Sequence, residues 1–315
     1  MKNLYLITVI FLLSSCQTLS SIQETLGFVE EDPNAPVKLD ENYESFLDIS
    51  WQKKIEKPLL DLSFFGENIE SNIFFDINAG TIYNLNEKQL ELIDADTGQL
   101  SEVFELETDR IISGVSVGYN SFFYVDADGI VYAHDANSGD LKWKKELEDV
   151  VLSKILITST QAFLQTSSDV LYGMDLQTGE TKWQKQAQAP LLSIRGTASP
   201  IIYEGLIFTS FSNGRLAAVR AVDGIQLWEK PISRLKGSTE LEKLMDGDSN
   251  AITINEEVFV ANYNGSLTRF NIRSGDKVFS VDHSTSKPIL FNEGKILSIN
   301  TCLLYTSDAA DDGLC

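Results

Sequence analysis

The chain has 315 residues, 43% of them hydrophobic and 23% charged, a globular composition with apolar material for one large domain or two ordinary ones. Lys and Arg number 25 against 46 Asp and Glu, a net charge of −21; such a surface repels phosphate backbones and argues against nucleic acid as a partner. The two histidines, His134 and His283, are far apart in sequence, so neither a His-based metal centre nor a Ser-His-Asp relay is marked.

The N-terminus reads MKNLYLITVIFLLSSC. One Lys precedes an apolar run from Leu4 to Leu13, which suits the hydrophobic region of a signal peptide and is too short to span a bilayer. Leu13-Ser14-Ser15-Cys16 resembles a bacterial lipobox, in which Cys16 becomes the lipidated first residue; a plain secretory signal is the alternative. In that resemblance Gln17, a non-Asp residue, lets the lipoprotein go on to the outer membrane. Residues 1–15 are therefore expected to be the signal peptide. Residues 16–48 follow as a polar, acidic tether that includes Glu30-Glu31-Asp32-Pro33-Asn34-Ala35-Pro36. Acyl chains contribute about 0.8 kcal/mol per buried CH₂ and hold a body on a membrane without a spanning helix.

Trp51 opens the body in the stretch ISWQKKI, which matches the later LKWKKEL, TKWQKQA and QLWEKPI. It reads as an outermost strand separated from the rest of its blade. A repeat then runs through the chain. Asp94-ADT-Gly98, Asp135-ANS-Gly139, Asp175-LQT-Gly179, Ala221-VD-Gly224 and Asn271-IRS-Gly275 place their glycines 41, 40, 45 and 51 residues apart. The fourth residue after each of the last four glycines is aromatic: Trp143, Trp183, Trp228 and Phe279. Ten residues before those glycines stands a second turn, at Asp128-Gly129, Ser168-Asp169, Asn213-Gly214 and Asn264-Gly265. These pairs suit the positive φ angles of a type I′ hairpin, and Asp with Gly four later suits a turn closed by a bulge. The strands are short and rich in Phe, Val, Ile and Tyr, with no competing helical period in the body. A repeat of this length with about four strands predicts an all-β propeller whose outer aromatics fill the space between blades.

Gly294 to Ile299 reads as the start of a sixth blade, so residues 49–301 are expected to be an incomplete propeller of a longer natural protein. Residues 302–315 contain CLLYTSDAADD, which resembles the translation of a transposon-end adapter used in sequencing libraries, and are expected to be foreign to the gene. A genuine strand and turn is the alternative, because Leu303-Leu304-Tyr305 before acidic residues imitates the repeat. On the adapter reading Cys16 is the single native cysteine.

As a class the repeats resemble the pyrroloquinoline-quinone (PQQ)-type propeller repeat, which serves both enzymes and scaffolds. Two segments are more specific: residues 190–200, PLLSIRGTASP, and residues 237–248, GSTELEKLMDGD, resemble the corresponding loops of the BamB family of outer-membrane β-barrel assembly lipoproteins. The resemblance implies eight four-stranded blades, of which about five, part of a sixth and the N-terminal closing strand are present. It implies a non-enzymatic, cofactor-free scaffold of the BAM complex, lipid-anchored in the outer membrane and facing the periplasm. Such a scaffold docks on the POTRA domains of the BamA subunit and assists insertion of outer-membrane proteins, with unfolded barrel proteins as a further partner. Carried over by motif, Leu192, Ile194, Arg195, Asp246 and Asp248 become the partner contacts. An Arg and two carboxylates around small apolar groups make an orienting polar set about a hydrophobic anchor. The residues alone also fit a half-buried strand with Arg195 paired within its own chain. Thr197 and Gly247 stand at variable-looking places and remove no polar group.

A quinone-dependent dehydrogenase built from the same repeat is the rival reading. By resemblance it needs a vicinal cysteine pair and a calcium-binding carboxylate set, and the sequence has no Cys-Cys. Asp246, Asp248, Asn250 and Glu257 imitate EF-hand spacing, but Ala251 takes the place that needs glycine, so no metal site is expected. His134 and His283 lie beside strand ends and are expected to be surface or strand residues. No isolated apolar carboxylate pair marks general acid and base roles.

Overall fold

The repeat unit SFFYVDADGIVYAHDANSGDLKWKKEL alternates short apolar runs with turn residues, and each run becomes a strand. A computed structural model of the chain describes residues 50–53, 75–86, 88–188, 198–234, 249–285, 287–292 and 294–299. All of these belong to one unit, Ser45–Cys302; the other unit, Met1–Glu44 with Leu303–Cys315, lies outside the described residues. Among the described residues all regular structure is β, in five four-stranded antiparallel sheets and one two-stranded sheet. The first blade is β1 Phe75–Asn78, β2 Thr81–Asn86, β3 Gln89–Asp94 and β4 Leu100–Glu105. The second is β5 Ser116–Gly118, β6 Ser121–Val125, β7 Ile130–Asp135 and β8 Leu141–Glu146. The third is β9 Leu156–Ile157, β10 Gln161–Gln165, β11 Val170–Asp175 and β12 Thr181–Gln186. β13 Ile201–Tyr203, β14 Leu206–Phe211, β15 Arg215–Arg220 and β16 Gln226–Pro231 make the fourth, and β17 Ile252–Ile254, β18 Glu257–Val260, β19 Ser266–Asn271 and β20 Lys277–Asp282 the fifth. β21 Leu290–Asn292 and β22 Lys295–Leu297 follow. Strand order within each sheet is sequential, which is the meander of a propeller blade.

Burial explains the pattern of the runs. Phe122, Phe123, Tyr124 and Val125 of β6 are all fully covered, because a blade meets neighbours on both faces. Phe122 and Tyr124 pack toward the first blade with Leu90 and Phe104, while Phe123 and Val125 pack toward the third with Leu164 and Met174. Each such side chain contributes roughly 1.5–3 kcal/mol by leaving water. The outer strand is covered on one side only: in β8 only Trp143 is buried.

That buried ring is what joins one blade to the next. The indole of Trp143 donates from Nε1 to the Leu176 carbonyl at 3.0 Å and lies flat over Gly179 in the turn of the following blade. A Cβ on Gly179 would stand 2.6 Å from Trp143 Cε3, and the residue's φ of +72° is itself a glycine conformation. Trp183 repeats both contacts on Ala221 and Gly224, and Trp228 on Ile272 and Gly275, with 2.9 Å hydrogen bonds. Trp51 makes them on the first blade, donating to the Ala95 carbonyl at 2.9 Å over Gly98, as an outer-strand aromatic does. Residues 50–53 carry no strand assignment.

One local expectation changes, the type of the second turn. Type I′ turns join the first and second strands, at Ala79-Gly80, Tyr119-Asn120, Glu204-Gly205 and Asn255-Glu256, where both residues have positive φ. The Asp128-Gly129, Ser168-Asp169 and Asn213-Gly214 sites instead have positive φ only at their second residue. The cause is visible at Asp126, whose Oδ1 accepts from the Asp128 and Ile130 backbone N–H groups and winds the loop into a type I turn with a left-handed last residue. His134, expected as a surface or strand residue, is a strand residue of β7 and is 1% exposed. The bulge expected beside the Asp-to-Gly turn is present in every blade, for example between Ala133 and His134 and between Gly173 and Met174.

Gly179→Ala should cost about 3 kcal/mol, from left-handed strain plus overpacking against Trp143. Gly205→Ala, at φ +76° but with nothing within 4 Å, should cost only the strain, about 1 kcal/mol. Urea unfolding midpoints of the two variants separate these values; equal shifts would mean that the indole is not seated on the glycine.

Candidate docking face

In an antiparallel four-stranded blade, the hairpin between strands two and three and the connector to the next blade lie at the same end. Backbone bonds fix the arrangement: the residue after each outer strand donates into that blade's own hairpin, as Leu147 N does to Gly129 O, Ala187 N to Asp169 O and Ile232 N to Gly214 O. Connectors then reach the hairpin of the following blade. Asp149 accepts from Ser167 Oγ and the Ser168 N–H, and Asn213 Nδ2 donates to the Gln188 carbonyl.

The connectors differ greatly in length. They span 10 residues before β5, 9 before β9, 14 before β13 and 20 before β17. With the connector removed, every interval between successive turn glycines from Gly98 to Gly275 is 31 residues. All the variation in repeat length is thus confined to this one end of the blades. The two longest connectors are consecutive, lie on either side of the fourth blade, and contain both sequence segments that resemble docking loops.

Leu192, Ile194, Arg195, Asp246 and Asp248 themselves lie outside the described residues, as does Cys16. The stems from which the segments return are described, and they are joined. The Ser199 backbone N–H donates to Asn250 Oδ1 at 2.7 Å, and Ser199 Oγ accepts from the Lys154 N–H at 3.2 Å. Lys154 Nζ reaches the Phe75 carbonyl and Asp76 Oδ1, at 2.9 and 3.1 Å, while Asp76 Oδ2 accepts from Val117 N at 2.9 Å. The entries to the first strands of five blades are in this way laced by side-chain acceptors. Sequence reasoning missed Ser199 and Lys154, and nothing in the sequence marks a bond between residues 51 positions apart. Asn250 and Glu257, the second half of the EF-hand-like spacing, are already engaged: Asn250 holds Ser199, and Glu257 pairs with Arg269 at 3.2 Å. Among the described residues no group of three or more His, Cys, Asp and Glu is arranged to hold a metal ion.

The electrostatics of this end are uneven. Glu107, Asp109, Asp128, Glu148 and Asp149 gather on the connectors and hairpins of the second and third blades, with Arg110 pairing Asp128 at 2.8 Å in an exposed contact that contributes little stability. Burial pushes the Asp149 carboxyl up, but hydrogen bonds from Ser167, Val150 and Ser168 outweigh it and leave the group below its ordinary range. Asp169 is nearly enclosed; burial pushes it above the carboxylate range despite bonds from Ser212 and Gln165.

Comparison with known proteins places this architecture. The family model described as "Outer membrane protein assembly factor BamB" matches residues 86–311. The chain belongs to the BamB family. BamB of Yersinia pestis is 27% identical over 221 residues, covering 67% of this chain and 56% of the relative. BamB of Escherichia coli K12 is 37% identical over 172 residues, covering 55% and 44%. The chain thus spans about half the length of the curated relatives it matches. The crystal structure of BamB from Moraxella catarrhalis superposes with a TM-score of 0.66 over 72% of this chain and 69% of that one, at 22% identity. A europium-containing methanol dehydrogenase superposes at 0.52 over 65% and 50%, at 14% identity, and shares the fold alone.

Asn250→Ala removes the acceptor of the Ser199 N–H and should cost about 1–2 kcal/mol. Asn250→Asp keeps an acceptor and should cost less. Denaturant midpoints check both, and a silent Asn250→Ala would mean that the two stems are not joined.

Proposed function

We propose that this protein is a scaffold of the outer-membrane β-barrel assembly complex that docks on the POTRA domains of BamA and catalyses no reaction. The observation that carries the reading is the pair of long, consecutive connectors flanking the fourth blade, with return stems hydrogen-bonded through Ser199 and Asn250. A frame of packed blades holding two adjacent loops is suited to binding, because loops on a rigid scaffold are ordered at low entropic cost. Leu192 and Ile194 supply the apolar anchor, Arg195 the guanidinium fork, and Asp246 with Asp248 the complementary carboxylates. The name shared by the relatives, outer membrane protein assembly factor, supports the process. Lipidation at Cys16 and an acidic tether would hold the propeller at the outer membrane, on its periplasmic side. Unfolded barrel proteins are a second class of partner, met at exposed strand edges.

Arg195→Ala together with Asp246→Ala should weaken capture on immobilised BamA POTRA domains by more than tenfold, the loss of at least about 2 kcal/mol typical of interface hot spots. The thermal transition should be unchanged. Retained binding by the folded double variant would refute docking through these loops.

A further inference from the structure

The seam between the first and second blades is built differently from the three that Trp143, Trp183 and Trp228 close. Glu102 stands where Trp143, Trp183 and Trp228 stand in later blades, opposite Leu92 of β3. Phe104, two residues on and on the same face of β4, covers Gly139 instead; a Cβ there would lie 2.6 Å from its Cδ1. A phenyl ring has no N–H to donate, so this seam lacks the indole-to-carbonyl bond. In its place is a column of rings: Phe104 stacks on Phe122 at 6.0 Å between centroids, and Phe122 on His134 at 4.8 Å.

His134 holds this column by two hydrogen bonds. Its Nδ1 is 2.9 Å from the Gly139 carbonyl, which can only accept, so Nδ1 carries the proton. Nε2 of the neutral ring is then the acceptor for the Tyr124 hydroxyl at 3.1 Å, and Tyr124 Oη in turn accepts from the Glu107 N–H at 3.2 Å. Every group is satisfied in this one protonation state. A proton added at Nε2 would turn it toward an oxygen whose own hydrogen then has no acceptor, in a site where Tyr124 is fully buried. It would also place a cation among rings. The charged groups that face His134 are Glu107 on the connector and Asp140 on the turn, with Tyr124 on the adjoining strand.

We propose that the seam between the first and second blades is an acid-sensitive latch, with His134 as its trigger. Protonation breaks the bond order that runs from Glu107 through Tyr124 and His134 to Gly139, and so loosens the turn on which Phe104 is seated. Burial lowers the His134 pKa from its ordinary value more than Glu107, Asp140 and the Gly139 bond raise it. The folded state therefore takes up the proton less readily than the unfolded one. The histidine's contribution to stability is complete above the ordinary imidazole range and is lost as pH falls through it toward the lowered folded value.

Amide hydrogen exchange, corrected for intrinsic rates, tests the latch at about pH 7.5 and about pH 5. Protection at Glu107 and Gly139 should fall roughly tenfold on acidification, the shift expected from losing a buried hydrogen bond. Protection at Gly275, under Trp228, should not change. His134→Gln keeps a donor and an acceptor without titrating and should hold protection at Glu107 and Gly139 constant between the two conditions; His283→Gln should behave as the parent protein. Acid loosening spread equally over all seams, none at the first seam, or the same loosening in a folded His134→Gln protein would each overturn the proposal. If His134→Gln does not fold, the comparison of Glu107 and Gly139 with Gly275 in the parent protein decides alone.

Discussion

The seat of an aromatic ring on a turn glycine is the contact on which the rest of the molecule depends. It needs three things at once: a residue without Cβ, a positive φ that exposes the peptide plane, and a carbonyl aimed at the indole nitrogen. The Asp that opens the turn supplies the second and third. Asp94 Oδ1 accepts from the Thr97 N–H and hydroxyl, and the Asp94 carbonyl accepts from Gly98 N, bonds that hold the loop without using the ring. Part of the chain's acidity is therefore turn chemistry. Asp175, held by the Lys182 ammonium and the Gln177 and Thr178 N–H groups, is pulled down to about 2, so that this turn keeps its charge across any physiological pH. In the fourth blade Arg220 takes the Asp place and Asp223 pairs with it, and in the fifth Asn271 accepts the same N–H bonds without charge.

This contact was legible in the sequence because it fixes residue types at fixed spacing. The Gly with an aromatic four residues later located three of the sockets, and the WQKKI likeness located Trp51. It failed at the first blade for a simple reason. Side chains in a strand return to the same face every second residue, so Phe104 can cover Gly139 from a position two residues beyond the expected one, with Glu102 left exposed in the vacated place. The first strands were less visible still. β9 is Leu156–Ile157 and β5 and β13 have three residues each, too short for any alternation to show. The type I′ turns beside them are carried by pairs such as Tyr119-Asn120 and Asn255-Glu256, where the tight pairing of Gly118 with Ser121 and Ile254 with Glu257 overrides residue preference. The docking segments were recognisable only by resemblance, since short polar loops carry no periodicity of their own.

The same sockets explain how the fold tolerates change at one end. The turns that hold the rings and the hairpins between first and second strands share the end opposite the connectors, joined by bonds such as Ala136 N to Asn120 O and Ile272 N to Glu256 O. Blade-to-blade registration is set there and through the fully buried middle strands. A connector adds length without moving a ring from its glycine, which is why the remainder of each repeat is a constant 31 residues while connectors range from 9 to 20 between β8 and β17. Loop-closure entropy rises only slowly with length, so the cost of a long connector is small compared with the burial that the sockets secure.

A division of this kind has a consequence for the first seam, where Phe104 replaces an indole. Where Trp143, Trp183 and Trp228 join blades, the bond is between an N–H and a carbonyl, neither of which titrates, and that bond is indifferent to pH. Where Phe104 takes over, the polar work passes to the buried His134, Tyr124 and the Glu107 amide, and the imidazole is the one member of that set whose ordinary pKa lies near neutrality. The substitution of one ring type for another thus moves a structural hydrogen bond from a group that cannot respond to acid to one that can. That seam stands two blades away from the nearer of the connectors flanking the fourth blade, and the row of bonds through Asp76, Lys154, Ser199 and Asn250 runs from the first two blades to the described stems of those connectors.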